Sequence, residues 1–187
     1  MNIRKRIAQR ICPGVFMENQ ILIKRNIDLR QDISNTKSEL KKNNRLLSSL
    51  EELMKQNYKL ISVSLTKSIY NMNETVIVYS SGNRNGIDIY VKHPSKSRHY
   101  LVVYVEINED NNSIFIANIE SSEENSNKGY GSLAMEYLLK YVKDHRIRKI
   151  SGIISHVDAA HYDRLEHYYN KFGFDVDFKK MRIEKTL

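Results

Sequence analysis

Two glycines separated by one residue lie where a strand-like segment gives way to a helix-like one. The run reads Lys128-Gly129-Tyr130-Gly131-Ser132. Glycines let the backbone turn tightly and expose consecutive N–H groups, and the N-terminus of the helix adds the positive end of its dipole. The pattern indicates a site for a phosphate or pyrophosphate, although a glycine turn without any ligand has the same local sequence.

A dinucleotide site is the competing interpretation, because Gly129, Gly131 and Ala134 satisfy the GxGxxA pattern. That pattern requires a tight turn directly after the strand and an acidic residue about 20 residues further on. Here the polar loop 121–129 separates the strand from the glycines, and Asp158 lies too far along the chain. The sequence therefore favours a phosphate-binding helix that is not part of a dinucleotide fold.

Two segments in the second half of the chain together resemble the GNAT acetyltransferase superfamily. The family signature is Arg or Gln, two residues, Gly, one residue, then Gly or Ala; residues 126–131 read Ser-Asn-Lys-Gly-Tyr-Gly. The last helix of the family commonly ends Phe-Tyr-x-Lys-x-Gly-Phe, and residues 168–174 read Tyr-Tyr-Asn-Lys-Phe-Gly-Phe. The two matches occur in the family's order, with a strand between them. The first signature position departs from the family, because Ser126 replaces Arg or Gln.

The resemblance implies an N-acetyltransferase that uses acetyl-CoA as co-substrate and an amine as acceptor, without a metal. By analogy, the pantetheine arm lies along the backbone of Asn118, Ile119 and Glu120. The resemblance also implies a set of residues that hold the pyrophosphate, namely Asn127, Lys128, Gly129, Tyr130, Gly131 and Ser132.

The same resemblance assigns two catalytic roles. Tyr169 matches the tyrosine that protonates the leaving thiolate, and Glu120 is the candidate general base. Each has a plainer interpretation. Tyr169 lies on the apolar face of its helix and is also consistent with a core tyrosine, whereas Glu120 precedes Glu123 and Glu124 and is also consistent with a solvated acidic loop.

Short runs rich in Val, Ile and Tyr after residue 62 indicate an α+β domain. Helical periodicity is predicted over 130–145 and again from Asp158, as the N-cap, to Phe172. Strands are predicted at 75–80, 87–92, 100–107, 113–120, 148–155, 174–179 and 181–185. The expected fold is a GNAT-like mixed, mostly antiparallel sheet flanked by helices, with one parallel crossover, preceded by a long N-terminal coiled-coil helix.

The positive charge is concentrated near the N-terminus. Residues 1–70 hold 14 Lys and Arg against 6 Asp and Glu, whereas residues 71–187 hold 16 of each. This asymmetry predicts a basic arm and long helix at 1–61 and a GNAT-like domain at 62–187. Arg4, Lys5, Arg6 and Arg10 are predicted on a short amphipathic helix ended by Pro13. A solvated basic face is the plain interpretation of that helix, and nucleic-acid binding is weakly supported because no aromatic residues interleave.

A heptad pattern runs through residues 17–61, where the chain has neither glycine nor proline. Eight of its twelve seam positions are apolar, and a sustained seam predicts a homodimeric coiled coil. The alternative is that Asn43-Asn44 breaks the helix and the two halves fold back as a hairpin. The seam positions are Leu22, Asn26, Leu29, Ile33, Thr36, Leu40, Asn43, Leu47, Leu50, Met54, Asn57 and Ile61.

The acceptor site is the least predictable part. The family has one or two helices between its first two strands, and the loop between the strands predicted at 75–80 and 87–92 has no room for them. Either the first strand lies near 60–65, or the long N-terminal helix takes over the role of the missing helices.

Composition excludes several other classes of protein. One cysteine, Cys12, excludes an internal disulfide framework and indicates a reduced, cytoplasmic setting. No apolar run is long enough to span a bilayer. His156, His161 and His167 lack metal-ligand spacing, so no metal site is predicted. Two function classes remain: an N-acetyltransferase, or a coiled-coil binding or scaffold protein whose GNAT-like domain is inactive or only senses CoA.

Overall fold

The computed structural model describes residue 7 and residues 10–66, 74–83 and 85–187. Arg4, Lys5 and Arg6 of the predicted basic helix lie outside the described residues. The chain divides into two compact units, Met1–Leu47 and Ser48–Leu187.

The first long element is a helix, α1, which spans Pro13–Lys55. Proline suits its first turn, where a backbone N–H has no intrahelical partner. The helix continues through Asn43 and Asn44 without a break, so the fold-back alternative is wrong. It ends before the predicted limit at 61, because Asn57 adopts a left-handed conformation with φ 57° and the following residues enter a strand.

The unit Ser48–Leu187 is built on an eight-stranded sheet in the order β1-β2-β3-β4-β5-β6-β8-β7. The pair β5–β6 is parallel and the other described pairs are antiparallel, so the predicted fold class is confirmed. The strands are β1 (Lys59–Leu65), β2 (Thr75–Asn83), β3 (Gly86–Lys92), β4 (Leu101–Asn108), β5 (Ser113–Ser121), β6 (Lys149–Ile153), β7 (Asp175–Asp177) and β8 (Arg182–Thr186).

Strand β1 resolves the choice between the two possible positions of the first strand. It pairs antiparallel with β2, as the alternative near 60–65 requires. Nine residues, 66–74, connect β1 to β2. A connection of that length has no room for two helices of ordinary size.

Two helices complete the fold: α2 (Tyr130–Asp144) and α3 (Tyr162–Lys171). The predicted N-cap of α3 at Asp158 is wrong, because a 3₁₀ helix, His156–His161, comes first and His161 occupies the cap position. Short 3₁₀ turns are frequent at the ends of α-helices, and periodicity alone does not separate the two. Gly173, with φ 73°, follows the end of α3 as predicted.

One face of the sheet carries the hydrophobic core. Alternate residues of the strands point to this face, as the two-residue period of a strand requires. Helix α2 packs on β3 and β4, and α3 packs against β7. The buried members include Val76, Val78, Ile89, Val91, Val103, Val105, Ile114, Ile116, Ala134, Met135, Leu138, Val142, Ile150 and Ile183. This packing holds the N-terminus of α2 beyond the end of β5.

The opposite face is covered near β2 and β3 by an aromatic cluster and the last turns of α1. Leu53 is buried there, and Glu52 lies 4.0 Å from the ammonium of buried Lys92. The cluster consists of Tyr58, Tyr79, Tyr90 and His99, whose ring centroids lie 4.8–5.8 Å apart.

Candidate functional site

The loop before α2 is shaped by two left-handed residues. Asn127 has φ 59° and Gly129, the N-cap, has φ 83°. An intrahelical hydrogen bond runs from the N–H of Leu133 to the carbonyl of Gly129 at 3.2 Å. The backbone N–H groups that precede Leu133 belong to the turn in which a helix leaves donors without intrahelical acceptors. The predicted anion-binding segment therefore has the geometry of an open helix N-terminus.

The backbone of Tyr130 belongs to this loop, whereas its side chain packs in the hydrophobic core. The ring is 2% exposed and stacks on Tyr100 with centroids 4.8 Å apart. Its hydroxyl donates a hydrogen bond to Oε2 of Glu74 at 2.8 Å. Burial, together with the Glu74 carboxylate, raises the pKa of Tyr130 well above its usual range. The sequence prediction of Tyr130 as a CoA-binding residue therefore applies to its main chain.

The loop is also anchored upstream of the glycines by Asn125, which is buried. Its side-chain amide donates hydrogen bonds to the carbonyl of Tyr100 at 3.2 Å and to Oγ of Ser122 at 2.8 Å. The sequence did not predict this anchoring role, because nothing local distinguishes Asn125 from the polar residues around it.

Helix α3 reaches the glycine loop through Tyr168. The hydroxyl of Tyr168 donates a hydrogen bond to the carbonyl of Gly131 at 2.8 Å. A Cβ added at Gly131 would lie 3.2 Å from Cε2 of this ring, tighter than an ordinary carbon contact. The close approach of Tyr168 therefore favours glycine at residue 131, since any larger residue would require the ring to shift by a few tenths of an ångström.

Lys171, at the end of α3, brings a positive charge to the same loop. Its Nζ donates a hydrogen bond to Oγ of Ser132 at 3.0 Å. Together with half-buried Lys128, it places two ammonium groups on the segment with the open N–H groups. In the sequence, Lys171 belongs to the motif at 168–174, and nothing local assigns a role to its ammonium group.

The end of β5 separates from β6. The two strands pair from Ser113 to Ile116, and β5 continues to Ser121. The register against β4 shifts at the same place, so that Ala117 is the extra residue of a bulge. Beyond the bulge, the backbone of 118–120 keeps its partners on β4 and has left those on β6, which is the geometry expected for a segment that aligns an extended ligand.

Glu120 and Asn118 lie together on the exposed side of this strand end. Oε1 of Glu120 accepts a hydrogen bond from the Asn118 amide at 3.1 Å, and Oε2 accepts one from the Tyr104 hydroxyl at 3.3 Å. Burial and the negative charge of Glu120 raise the pKa of Tyr104. Glu120 is thus a positioned carboxylate that remains open to solvent.

Tyr169 lies on the other side of the sheet from Glu120, within the core cluster. The side chain is 7% exposed and packs edge-to-face on Tyr168 and Phe174, with ring centroids 5.2 and 5.7 Å away. The structure therefore places Tyr169 directly behind the residue that contacts Gly131.

Groups of three His, Cys, Asp or Glu side chains suited to holding a metal ion are absent from the part of the chain that the structure describes. Among the described helices, none is both long and apolar enough to cross a membrane.

Comparison with known proteins gives matches to part of the chain. Residues 96–174 match the sequence model of the Acetyltransferase (GNAT) family. Uncharacterized protein YocC of Bacillus subtilis (strain 168) is 46% identical over 50 residues, which are 27% of this chain and 30% of that protein.

Two solved structures have similar folds. The PaiA N-acetyltransferase of Thermoplasma acidophilum, in complex with coenzyme A, is 15% identical with a TM-score of 0.45, over 55% of this chain and 62% of that one. The IAA acetyltransferase of Bacillus cereus ATCC 14579 is 17% identical with a TM-score of 0.45, over 56% and 79%.

Proposed function

We propose that this protein transfers the acetyl group of acetyl-CoA to an amine acceptor, from the premise that residues 96–174 match the sequence model of the Acetyltransferase (GNAT) family. The observation that carries the proposal is the helix N-terminus of α2, where open N–H groups and two lysines meet. Such a site suits a pyrophosphate, because N–H donors and positive charge act on the same anion.

In this proposal the residues of the loop hold the CoA pyrophosphate. The N–H groups of 127–132 bind its oxygens, Lys128 and Lys171 neutralise its charge, and Tyr168 fixes the carbonyl of Gly131 from behind. The pantetheine arm lies along the backbone of Asn118, Ile119 and Glu120. The separation of β5 from β6 supports this placement, because it leaves that backbone edge available.

The chemistry is direct attack of a neutral amine on the thioester carbonyl. Glu120 acts as general base and accepts a proton from the acceptor ammonium, itself or through a water molecule. The new C–N bond forms, the C–S bond breaks, and Tyr169 protonates the leaving thiolate. The hydrogen bonds from Asn118 and Tyr104 support the first role, because they orient the Glu120 carboxylate.

Helix α1 gives the protein its proposed oligomeric state, a homodimer through the part of the predicted seam, residues 17–61, that is helical and ends at Lys55. Leu22, Leu29, Ile33, Leu40 and Leu47 are each more than half exposed. Heptad-spaced apolar side chains in this condition are those that a partner helix buries in a coiled coil. We propose a cytoplasmic location on the basis of the single cysteine alone.

Unfolding in the presence of acetyl-CoA tests the proposal. A ligand at about 100 times its dissociation constant stabilises the folded state by roughly 2.7 kcal/mol. We expect such a shift with acetyl-CoA and none with acetyl-pantetheine, which lacks the pyrophosphate. If acetyl-CoA at millimolar concentration leaves the unfolding transition unchanged, the proposal is wrong. Thiol release with a panel of polyamines, lysine peptides and aminoglycosides then identifies the acceptor.

A scaffold protein that only senses CoA is the second candidate. Ser126, in place of the family's Arg or Gln, and the exposed seam of α1 favour it. Stabilisation by acetyl-CoA together with no thiol release from any acceptor in the panel would support it over the transferase.

A further inference from the structure

Beyond the aromatic cluster, the described residues of the unit Ser48–Leu187 leave the sheet face opposite the core uncovered. A cleft of about 920 Å³ lies there, across β3, β4, β5 and the turn between β4 and β5. Tyr104 and Phe115 form its half-exposed aromatic floor, and Ala117 and Glu106 are exposed.

The cleft is acidic in a protein whose net charge is +8. Asp88, Glu106, Glu109 and Asp110 line it, and its described lining residues include neither Lys nor Arg. Arg84, in the neighbouring loop, lies outside the described residues. Four carboxylates beside two aromatic rings are complementary to a cationic partner, through charge and through cation–π contact.

The distance between this surface and Glu120 suits an extended polypeptide. Glu120 pairs with Val102, and Asn108 pairs with Ser113 at the other end of β4. Val102 and Asn108 are six residues apart along β4. About 20 Å therefore separates Glu120 from the turn that carries Glu109 and Asp110. An extended polypeptide covers that distance with about six residues. The cleft is also open, so a small ligand would bury little of its surface there.

We propose that the face formed by Asp88, Tyr104, Glu106, Glu109, Asp110 and Phe115 docks a Lys- and Arg-rich polypeptide segment. The docked segment runs along β4 toward Glu120, so that the acceptor amine belongs to a protein. The assignment of the acceptor rests on the proposed function, whereas the docking itself does not. The partner's positive charges pair with the carboxylates of the cleft, and its aliphatic stems lie on Tyr104 and Phe115.

Fluorescence anisotropy of the full chain with a labelled eight-residue peptide containing four lysines tests the docking. We expect binding that weakens at least tenfold between 50 and 300 mM salt, because exposed charges are screened. The double variant Glu106→Gln, Glu109→Gln should bind at least tenfold more weakly. The matched control Glu136→Gln, Asp144→Asn removes the same charge from α2, where both side chains are exposed, and should bind as the wild type does.

The proposal is overturned by equal binding of a peptide with glutamates in place of the lysines, by an unchanged affinity in the cleft variant, or by displacement of the peptide by spermine at an equal concentration of charge. Specific binding of a peptide of residues 1–12, with no binding of other basic peptides, would assign the face to a second copy of the chain and also overturn it. Stabilisation by acetyl-CoA is measured in parallel. Peptide binding without stabilisation by acetyl-CoA rejects the proposed transferase activity and supports the docking surface. Stabilisation by acetyl-CoA without peptide binding rejects the docking surface alone.

Discussion

The Tyr168 hydroxyl donates a hydrogen bond to the carbonyl oxygen of Gly131 at 2.8 Å and joins α3 to α2 through two residues that are 37 positions apart in sequence. The ring occupies the space that a side chain at residue 131 would need. A substitution such as Gly131→Asp would therefore displace Tyr168 as well as any bound phosphate, and it cannot separate ligand binding from packing.

Tyr168→Phe is the cleaner variant of this contact, because the ring stays and one hydroxyl is lost. We expect the free energy of unfolding to fall by about 0.5–1.5 kcal/mol, the usual net value of a hydrogen bond. The dissociation constant for acetyl-CoA should rise, because the Gly131 peptide loses its anchor. Urea unfolding and ligand titration measure the two effects. Tyr162→Phe, which removes a weak contact with the Met181 sulfur at 3.5 Å, is the control and should change neither.

Lys171→Met removes the ammonium that contacts Ser132 and keeps most of the side-chain volume. A charge on a helix terminus that binds an anion contributes about 1 kcal/mol, so affinity for acetyl-CoA should fall roughly fivefold and depend less on salt. Lys140→Met removes the same charge from an exposed position of α2 and serves as control. Equal affinities in the two variants would show that Lys171 has no part in the anion site.

Tyr169→Phe separates chemistry from packing. The ring still packs on Phe174 and Tyr168, so stability should fall by no more than about 1.5 kcal/mol. If Tyr169 is the general acid, the turnover number should fall roughly 10²- to 10⁴-fold while acetyl-CoA affinity barely changes. The rate of thiol release at saturating acetyl-CoA and acceptor measures the turnover number. A normal turnover number would make Tyr169 a core residue and leave Tyr168 or water as the proton donor.

Leu40→Lys should dissociate the proposed dimer. It introduces a charge into the seam of α1 at a position that is 59% exposed in the single chain. Ser38→Lys adds the same charge on an exposed position away from the seam and should leave the dimer intact. Sedimentation at tens of micromolar distinguishes the two. A monomeric wild-type chain under these conditions would contradict the coiled-coil dimer.

His99 should make stability depend on pH. Burial, and then the nearby Lys92 charge, lower its pKa below the ordinary 6.5, and the neutral ring contacts the Tyr79 hydroxyl at 2.5 Å. As pH falls, His99 therefore binds a proton in the unfolded chain before it does so in the folded chain. The contribution of His99 to the free energy of unfolding is complete above pH 6.5 and is lost as pH falls from 6.5 through the lowered pKa. His99→Gln should reduce the change in the urea midpoint of unfolding between pH 7.5 and 5.5. His167→Gln, at an exposed position, should retain the slope.

Sequence alone determined the features that depend on near neighbours. Strand alternation, the left-handed Gly129 and Gly173, and the helical period of α2 arise from backbone sterics and local burial, so their positions agree with the structure to within a few residues. Its one wrong helix start was a local ambiguity, at α3, where a 3₁₀ turn shares the helical pattern. The fold-back at Asn43 was an alternative to the predicted long helix, because an asparagine that a helix tolerates is also a candidate break.

Tertiary structure alone decided what surrounds the glycine loop. The contacts of Tyr168 with Gly131 and of Lys171 with Ser132 join residues 37 and 39 positions apart, and they exist only because α3 packs beside the start of α2. The acidic cleft likewise depends on which face of β3, β4 and β5 the helices cover, since Asp88 comes from β3 whereas Glu106 and Glu109 come from the end of β4 and the turn after it. Local spacing carries no information on such contacts, because packing between distant elements creates them.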